Sequence, residues 1–251
     1  MRIIQKILAQ GVEGFTVGLK NAEPRASAPP ASNLSMLSAT RAFAAAKRTF
    51  NKSLGPEDDK AGFSALKEAA AKGSVRAHEW LGYVYDYGYG TRPNRRLAFE
   101  HYMVAAQAGN PNAEYHVGVF YQEGIFVRKD YRLAVKWFRR AAKHGDTTAL
   151  HSLGVAYRYG WGVPKNAKKG FQLELQAAKL HDRDAQFSVG VCFSRGEGVL
   201  EDPRQAFRWY LRAAKRGDKD AAHNLAHFYE SGRGVHKNEK RAKFWRQRAK
   251  G

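Results

Sequence analysis

From about Asp58 onward, apolar positions recur at helical spacing and are interrupted at a fixed interval. Set against itself at 36 residues, the chain falls into columns. One column is Ala77, Ala113, Ala149, Ala185 and Ala221. A second is Gly82, Gly118, Gly154, Gly190 and Ala226. A third is Tyr85, Tyr121, Tyr157, Phe193 and Tyr229. Two small residues followed by an aromatic predict a helix that packs very closely on its neighbours, helix A of each unit.

The columns that follow punctuate the helices. Gly88, Gly124, Gly160, Gly196 and Gly232 stop helix A, since glycine takes the left-handed terminal conformation without a Cβ clash. A short loop leads to Asp58, Asn94, Asp130, Asn166, Asp202 and Asn238, each able to accept a hydrogen bond from the free N–H groups of a second helix. That helix, B, carries Phe63, Phe99, Val135, Phe171 and Phe207 in one apolar column and alanine pairs such as Ala141-Ala142 and Ala213-Ala214 in another. Gly73, Gly109, Gly145 and Gly217 end it, with His181 as the exception. Ser74, Asn110, Asp146, Asp182 and Asp218 then cap the next helix A.

"KWFRRAAKHGD" at 136–146 and "RWYLRAAKRGD" at 208–218 stand 72 residues apart and are two copies of this junction. A repeat of this length is one antiparallel helix pair that cannot bury its face alone; stacking buries it. The expected fold is all-α, a right-handed α-solenoid of 36-residue helix pairs.

Before the array the pattern changes. "MRIIQKILAQ" places Ile3, Ile4, Ile7 and Leu8 at helical spacing with Arg2 and Lys6 opposite, and through residue 50 the only acids are Glu13 and Glu23. A basic, acid-poor, amphipathic start is the signature of a mitochondrial presequence. "AEPRASAPPAS" at 22–32 is a linker without a periodic face. The expected organisation is therefore a presequence-like segment and linker at 1–37, an N-terminal capping helix pair at 38–74, and five repeats at 75–251. The expected location is the mitochondrial matrix, with the cytoplasm as the alternative.

"ALHSLGVAYRYGWGVPKNAKKGFQLELQAAKLHD" and "AEYHVGVFYQEGIFVRKDYRLAVKWFRRAAKHGD" resemble Sel1-like repeats, which are related to tetratricopeptide repeats. The shared pattern is A-x-x-x-L-G-x-x-Y, a G-x-G-V loop, an acidic or amide cap, and A-x-x-W-[FY]-x-x-A-A-x-x-G. Three positions depart from it: Phe126 stands for the second loop glycine, Gly170 for a helix-B alanine, and His181 for a stop glycine. The resemblance implies a non-enzymatic scaffold for protein complexes, with helix A on the concave face and helix B on the convex face. Some members are disulfide-rich; this chain has one cysteine and departs from them.

Charge then narrows the partners. The chain carries 43 Lys and Arg against 23 Asp and Glu, a net charge of +20. Such a balance favours nucleic acid, anionic membrane or acidic protein. No run approaches the roughly 18 apolar residues of a membrane span. On helix B, Arg132, Lys136, Arg140 and Lys143 share one side, and Arg204, Arg208, Arg212 and Lys215 repeat that spacing. The middle unit keeps Lys168 and Lys179, while Arg96 and Lys240 extend the column. These cations are the expected surface for ribosomal RNA, through sequence-independent backbone contacts, or for an acidic protein. The second candidate is a peptide groove along helix A formed by Tyr83, Tyr87, Tyr115, Val119, His151, Val155, Phe187 and Val191.

Catalysis, metals and cofactors find no support. His223 and His227 are one turn apart but lack a carboxylate or cysteine partner, and Cys192 lies in an otherwise apolar column, so it reads as a packed thiol. The glycines of "YDYGYGT" and "YRYGWGV" are helix stops, and no phosphate-loop motif follows them. The reading is a scaffold in a ribonucleoprotein such as the mitochondrial ribosome or its assembly factors. The alternative is a peptide-binding adaptor among protein complex subunits.

Overall fold

The structure, a computed structural model, describes Arg41, Ala44 and residues 56–250. The expected targeting segment and linker at 1–37 lie outside the described residues. From Pro56 onward there are eleven helices, and among the described residues there is no strand. They are α1 (Pro56–Ala71), α2 (Val75–Tyr87), α3 (Arg95–Gln107), α4 (Pro111–Glu123), α5 (Tyr131–Lys143), α6 (Thr147–Tyr159), α7 (Ala167–Lys179), α8 (Arg183–Arg195), α9 (Pro203–Lys215), α10 (Lys219–Ser231) and α11 (Glu239–Lys250).

The punctuation columns fix the boundaries. Asn110, Asp146, Asp182 and Asp218 each accept from the backbone N–H three residues on, at 2.7–2.9 Å. Asp130, Asn166, Asp202 and Asn238 do the same for the second helix of each pair. Asp58 is the exception. It was expected to cap a helix, but α1 starts at Pro56, so Asp58 lies inside its first turn. Proline at that start supplies a φ already suited to a helix and withholds an N–H that would have no partner.

The chain divides into two compact units, one ending at Val104 and one beginning at Ala105. In the first, Leu66, Ala69, Leu81 and Val84 form a dry cluster between α1 and α2. The Tyr102 ring lies on Gly82, where an added Cβ would stand 2.6 Å from it.

In the second unit each helix packs on the next, from α4 to α11, and α6 also reaches α8. The same ring-on-glycine contact recurs: Phe138 covers Gly118 and Tyr210 covers Gly190. In the three pairs from α6 to α11 the loop inside the pair rests on the first turn of the preceding helix B. Gly162 sits against the Tyr131 carbonyl, Gly198 against that of Ala167 and Gly234 against that of Pro203. The two departures from the glycine columns keep the backbone that glycine would have: His181 has φ +67° and Phe126 φ +62°.

Candidate interaction surfaces

The expected helix-B cations divide in the structure. Arg204, Arg208, Arg212 and Lys215 are exposed on α9, and among the described residues no carboxylate pairs with them. Arg212 lies over the Trp209 ring at 4.4 Å, an arrangement that holds a guanidinium at the surface by attraction to the ring face. On α5, Arg132, Lys136 and Lys143 are exposed, as are Lys168, Lys179 and Lys240 on α7 and α11. Arg140 differs from that row. Its side chain is partly exposed but engaged, donating from Nε to the fully buried Glu114 at 3.0 Å and from Nη2 to the Ala106 carbonyl at 3.2 Å. His144 meets the other Glu114 oxygen at 2.8 Å. In the first unit Arg96 pairs with Glu100 of its own helix at 3.0 Å.

Beside the α9 row, Lys215, Lys219 and Arg248 line a cleft of about 520 Å³ whose wall includes the exposed Phe244. Asp218 also borders the cleft, but one of its carboxylate oxygens accepts from the Ala221 N–H. The cleft's chemistry therefore favours an anion.

The expected helix-A groove residues behave differently. Tyr83 and Tyr87 are exposed in the first unit, with ring centroids 4.6 Å apart. In the second unit Tyr115 and Val119 pack against the cluster around Phe138 and Leu153. Phe187 and Val191 pack against the cluster around Tyr210 and Leu225. Val155 is half-buried, and His151 keeps only a small part of its side chain exposed. Tyr115, Val119, Phe187 and Val191 thus pack on the core while each keeps part of its surface exposed.

The third repeat has a charged interior. Glu174 occupies the position of Phe138 and Tyr210 and lies on Gly154. It is fully buried and accepts from Arg158 Nη2 at 3.1 Å, and Arg158 Nη1 reaches Glu197 at 2.9 Å. Burial pushes the Glu174 carboxyl above its ordinary range, while Arg158 opposes that shift. Cys192 is buried as expected, but its neighbour is polar: the thiol donates to Glu174 at 3.6 Å, and burial pushes its pKa up to about 12. A thiol held so firmly protonated is a poor nucleophile. His223 and His227 are exposed on α10, and among the described residues no three potential metal ligands cluster.

One surface was not anticipated. Tyr159, Trp161 and Tyr131 form a row of stacked rings at the loop edge of the second unit. The signal lay in "YRYGWGV", whose glycines explain the loop but leave its Trp unexplained.

An all-α array of stacked helix pairs, presenting side chains along helix B and along its loops, defines a helical-repeat interaction scaffold. Residues 75–110, 111–146, 147–182, 183–218 and 219–250 each match the Sel1 repeat, and the chain belongs to the Sel1 repeat family. It is similar to a Sel1 repeat protein from Oxalobacter formigenes, with 28% identity, a TM-score of 0.72, and coverage of 86% of this chain and 82% of that one. It is equally similar in sequence, at 28%, to c5321, a protective antigen of uropathogenic Escherichia coli strains. There the TM-score is 0.75, and the match covers 88% of this chain but only 49% of c5321. The immunity protein Pa5087 from Pseudomonas aeruginosa shares the fold at 20% identity and a TM-score of 0.58, over 88% of this chain and 83% of that one. Among curated proteins none matches this chain significantly in sequence. Among the described residues no helix is long and apolar enough to cross a membrane.

Proposed function

We propose that this chain is a non-enzymatic scaffold of a ribonucleoprotein, seated in the mitochondrial matrix, that holds RNA backbone along its exposed helix-B cations. The observation that carries the reading is the α9 row. Arg204, Arg208, Arg212 and Lys215 are exposed together, without carboxylate partners among the described residues, beside a cleft lined by Lys219 and Arg248. An ordinary solvated helix face mixes both signs of charge, and this one does not. Cations so arranged recognise phosphates by releasing counterions, with little regard to base sequence. The mitochondrial part of the proposal rests on the basic, acid-poor first residues alone.

The test is native purification from isolated mitochondria with and without nuclease, beside the variant in which Arg204, Arg208, Arg212 and Lys215 are all changed to Glu. Recovery of ribosomal proteins that collapses with nuclease and is lost in the variant supports the reading. Partners unchanged by either treatment would overturn it in favour of a protein adaptor. Absence of the chain from mitochondria would remove the location.

A further inference from the structure

A basic protein gains nothing for solubility by exposing large aromatic rings, yet the second unit does so at one edge. Tyr159 is 47% exposed and Trp161 39% exposed. The Trp161 ring centroid lies 5.4 Å from that of Tyr159 and 5.7 Å from that of Tyr131, at interplanar angles of 27° and 25°. At such separations stacking is offset, and the exposure shows that ring surface stays open to solvent.

The row is held in place by backbone. Trp161 follows the left-handed Gly160 that stops α6, and Gly162 seats the loop against the Tyr131 carbonyl at the start of α5. The first turn of α5 thus carries one ring, the last residue of α6 a second and the loop after it the third. The corresponding loop positions elsewhere in this unit are Ile125, Glu197 and Arg233. The first unit carries an exposed pair, Tyr87 and Tyr89, at the positions of Tyr159 and Trp161, while the other repeats of the second unit have none, so the rings are not a packing requirement of the fold.

The charges around the ledge have one dominant sign. Lys129 Nζ lies 4.9 Å from the Tyr131 centroid, and Arg132 and Lys165 are exposed on the flanking first turn and loop. The nearby acids are otherwise engaged. Asp130 caps α5, and Glu197 pairs with Arg158, whose guanidinium stands over Tyr159 at 4.8 Å. Glu123 is the one exposed carboxylate in the neighbouring last turn of α4. Partly exposed rings next to cations fit a ligand that is flat and anionic. Unpaired nucleotides have both properties, whereas a proline-rich peptide has no need of the cations and an acidic peptide has no need of the rings.

We infer that Tyr159, Trp161 and Tyr131, with Lys129, Arg132 and Lys165, form a stacking platform for unpaired bases of single-stranded RNA. This takes its ligand class from the ribonucleoprotein reading and adds to it a second, chemically different contact. The α9 row holds phosphates of any RNA, while the ledge selects unpaired over paired segments, because only an unpaired base offers its face.

The experiment is fluorescence anisotropy of the full chain with a labelled short oligouridylate and with a labelled RNA duplex, at several salt concentrations. Trp161→Ala is expected to weaken oligouridylate binding by about 5- to 150-fold, the worth of one lost stack. It should leave duplex binding and the salt slope as in the wild type. Trp161→Phe, which keeps a ring, should recover most of the loss, and Tyr159→Ala should reproduce part of it. Equal oligouridylate binding by wild type and Trp161→Ala, with RNA binding otherwise intact, would overturn the platform and leave the α9 reading standing. No RNA binding by the wild type would overturn both. Binding of a proline-rich peptide, but not oligouridylate, that depends on Trp161 would reassign the ledge to a protein partner.

Discussion

Arg158 donates at 3.1 Å to Glu174, a fully buried carboxylate placed where the neighbouring repeats set an aromatic ring on glycine. Three substitutions act together there. Glu174 stands for Phe138 and Tyr210, Arg158 for Gln122 and Ser194, and Gly170 for Ala134 and Ala206. Gly170 makes the network possible, since a Cβ there would meet the Arg158 Cβ at 3.0 Å and the Gly154 carbonyl at 2.7 Å. Removing one member leaves a buried charge uncompensated, which costs about 3–5 kcal/mol. Arg158→Gln, which strips the buried Glu174 of its arginine, should therefore lower urea stability by that order, and Glu174→Gln by less, since Glu197 still pairs with Arg158. The double change Glu174→Tyr and Arg158→Ser reproduces Tyr210 and Ser194 while keeping Gly170, whose close approach to the Gly154 carbonyl leaves no room for a Cβ. It should fold at least as stably as the wild type, and a loss as large as that of Arg158→Gln would refute the argument.

Buried imidazoles predict acid sensitivity. His101 and His116 are each held near a pKa of about 4 by burial, His101 also by the charge of His78, and burial lowers His78 and His151 as well. His78 and His101 face each other Nδ1 to Nδ1 at 2.9 Å, so the pair accommodates one bridging hydrogen but not two charges. A group whose pKa falls on folding binds fewer protons folded than unfolded. Its contribution is complete above the unfolded pKa of roughly 6.5 and is lost as pH falls toward 4. The loss is on the order of 3 kcal/mol for His101 and for His116. His116→Ser, matching Ser152 and Ser188 in the same column, should flatten the stability-versus-pH curve between those limits in urea titrations. An unchanged slope would show that other groups govern acid unfolding.

Legibility followed the repeat. The caps, the stops and the small-residue columns were readable because each obeys a local rule, a side-chain acceptor for free N–H groups or a backbone turn that suits glycine. Repetition turned weak local signals into strong ones. What escaped was what occurs once. Arg140 and Arg212 occupy the same column, and their sequence neighbours give no reason to separate them. Their fates are set by a residue 26 positions earlier on the facing helix, Glu114 in one repeat and Gln186 in the other. The Tyr115 and Phe187 columns, expected to line a groove, pack on the core with part of their surface exposed, and spacing alone does not separate lining from packing, because both kinds of column are apolar and recur at the same interval.

His181 gives a conformational test. It ends α7 in the left-handed region at φ +67°, where Gly73, Gly109, Gly145 and Gly217 stand in the other repeats. A side chain there brings Cβ against the backbone, at about 1 kcal/mol. His181 is exposed, so its replacement removes no packing. His181→Gly should raise the thermal midpoint, by an amount equivalent to about 1 kcal/mol less the added freedom of the unfolded chain. His181→Ala, which keeps the Cβ, should not. Equal effects of the two substitutions would mean that the imidazole, and not the backbone, is responsible.

Arg140 and Arg212 separate stability from binding within one column. Arg140 serves the interior, and replacing it with Gln leaves the fully buried Glu114 with His144 as its one remaining ionic contact, a loss of about 2 kcal/mol for a charged hydrogen bond at a buried acceptor. Arg212 has no such duty, because Gln186 stands where Glu114 does and donates its amide to the Ala178 carbonyl at 3.2 Å. Arg212→Gln should therefore change urea stability by less than about 0.5 kcal/mol. RNA affinity should behave in reverse. If the α9 row holds phosphates, Arg212→Gln reduces the slope of log affinity against log salt by about one, while Arg140→Gln leaves the slope unchanged at temperatures where the variant is folded. Parallel urea and salt titrations on the two variants measure both quantities. Equal salt slopes for wild type and Arg212→Gln would remove α9 from the RNA surface, whatever the stabilities show.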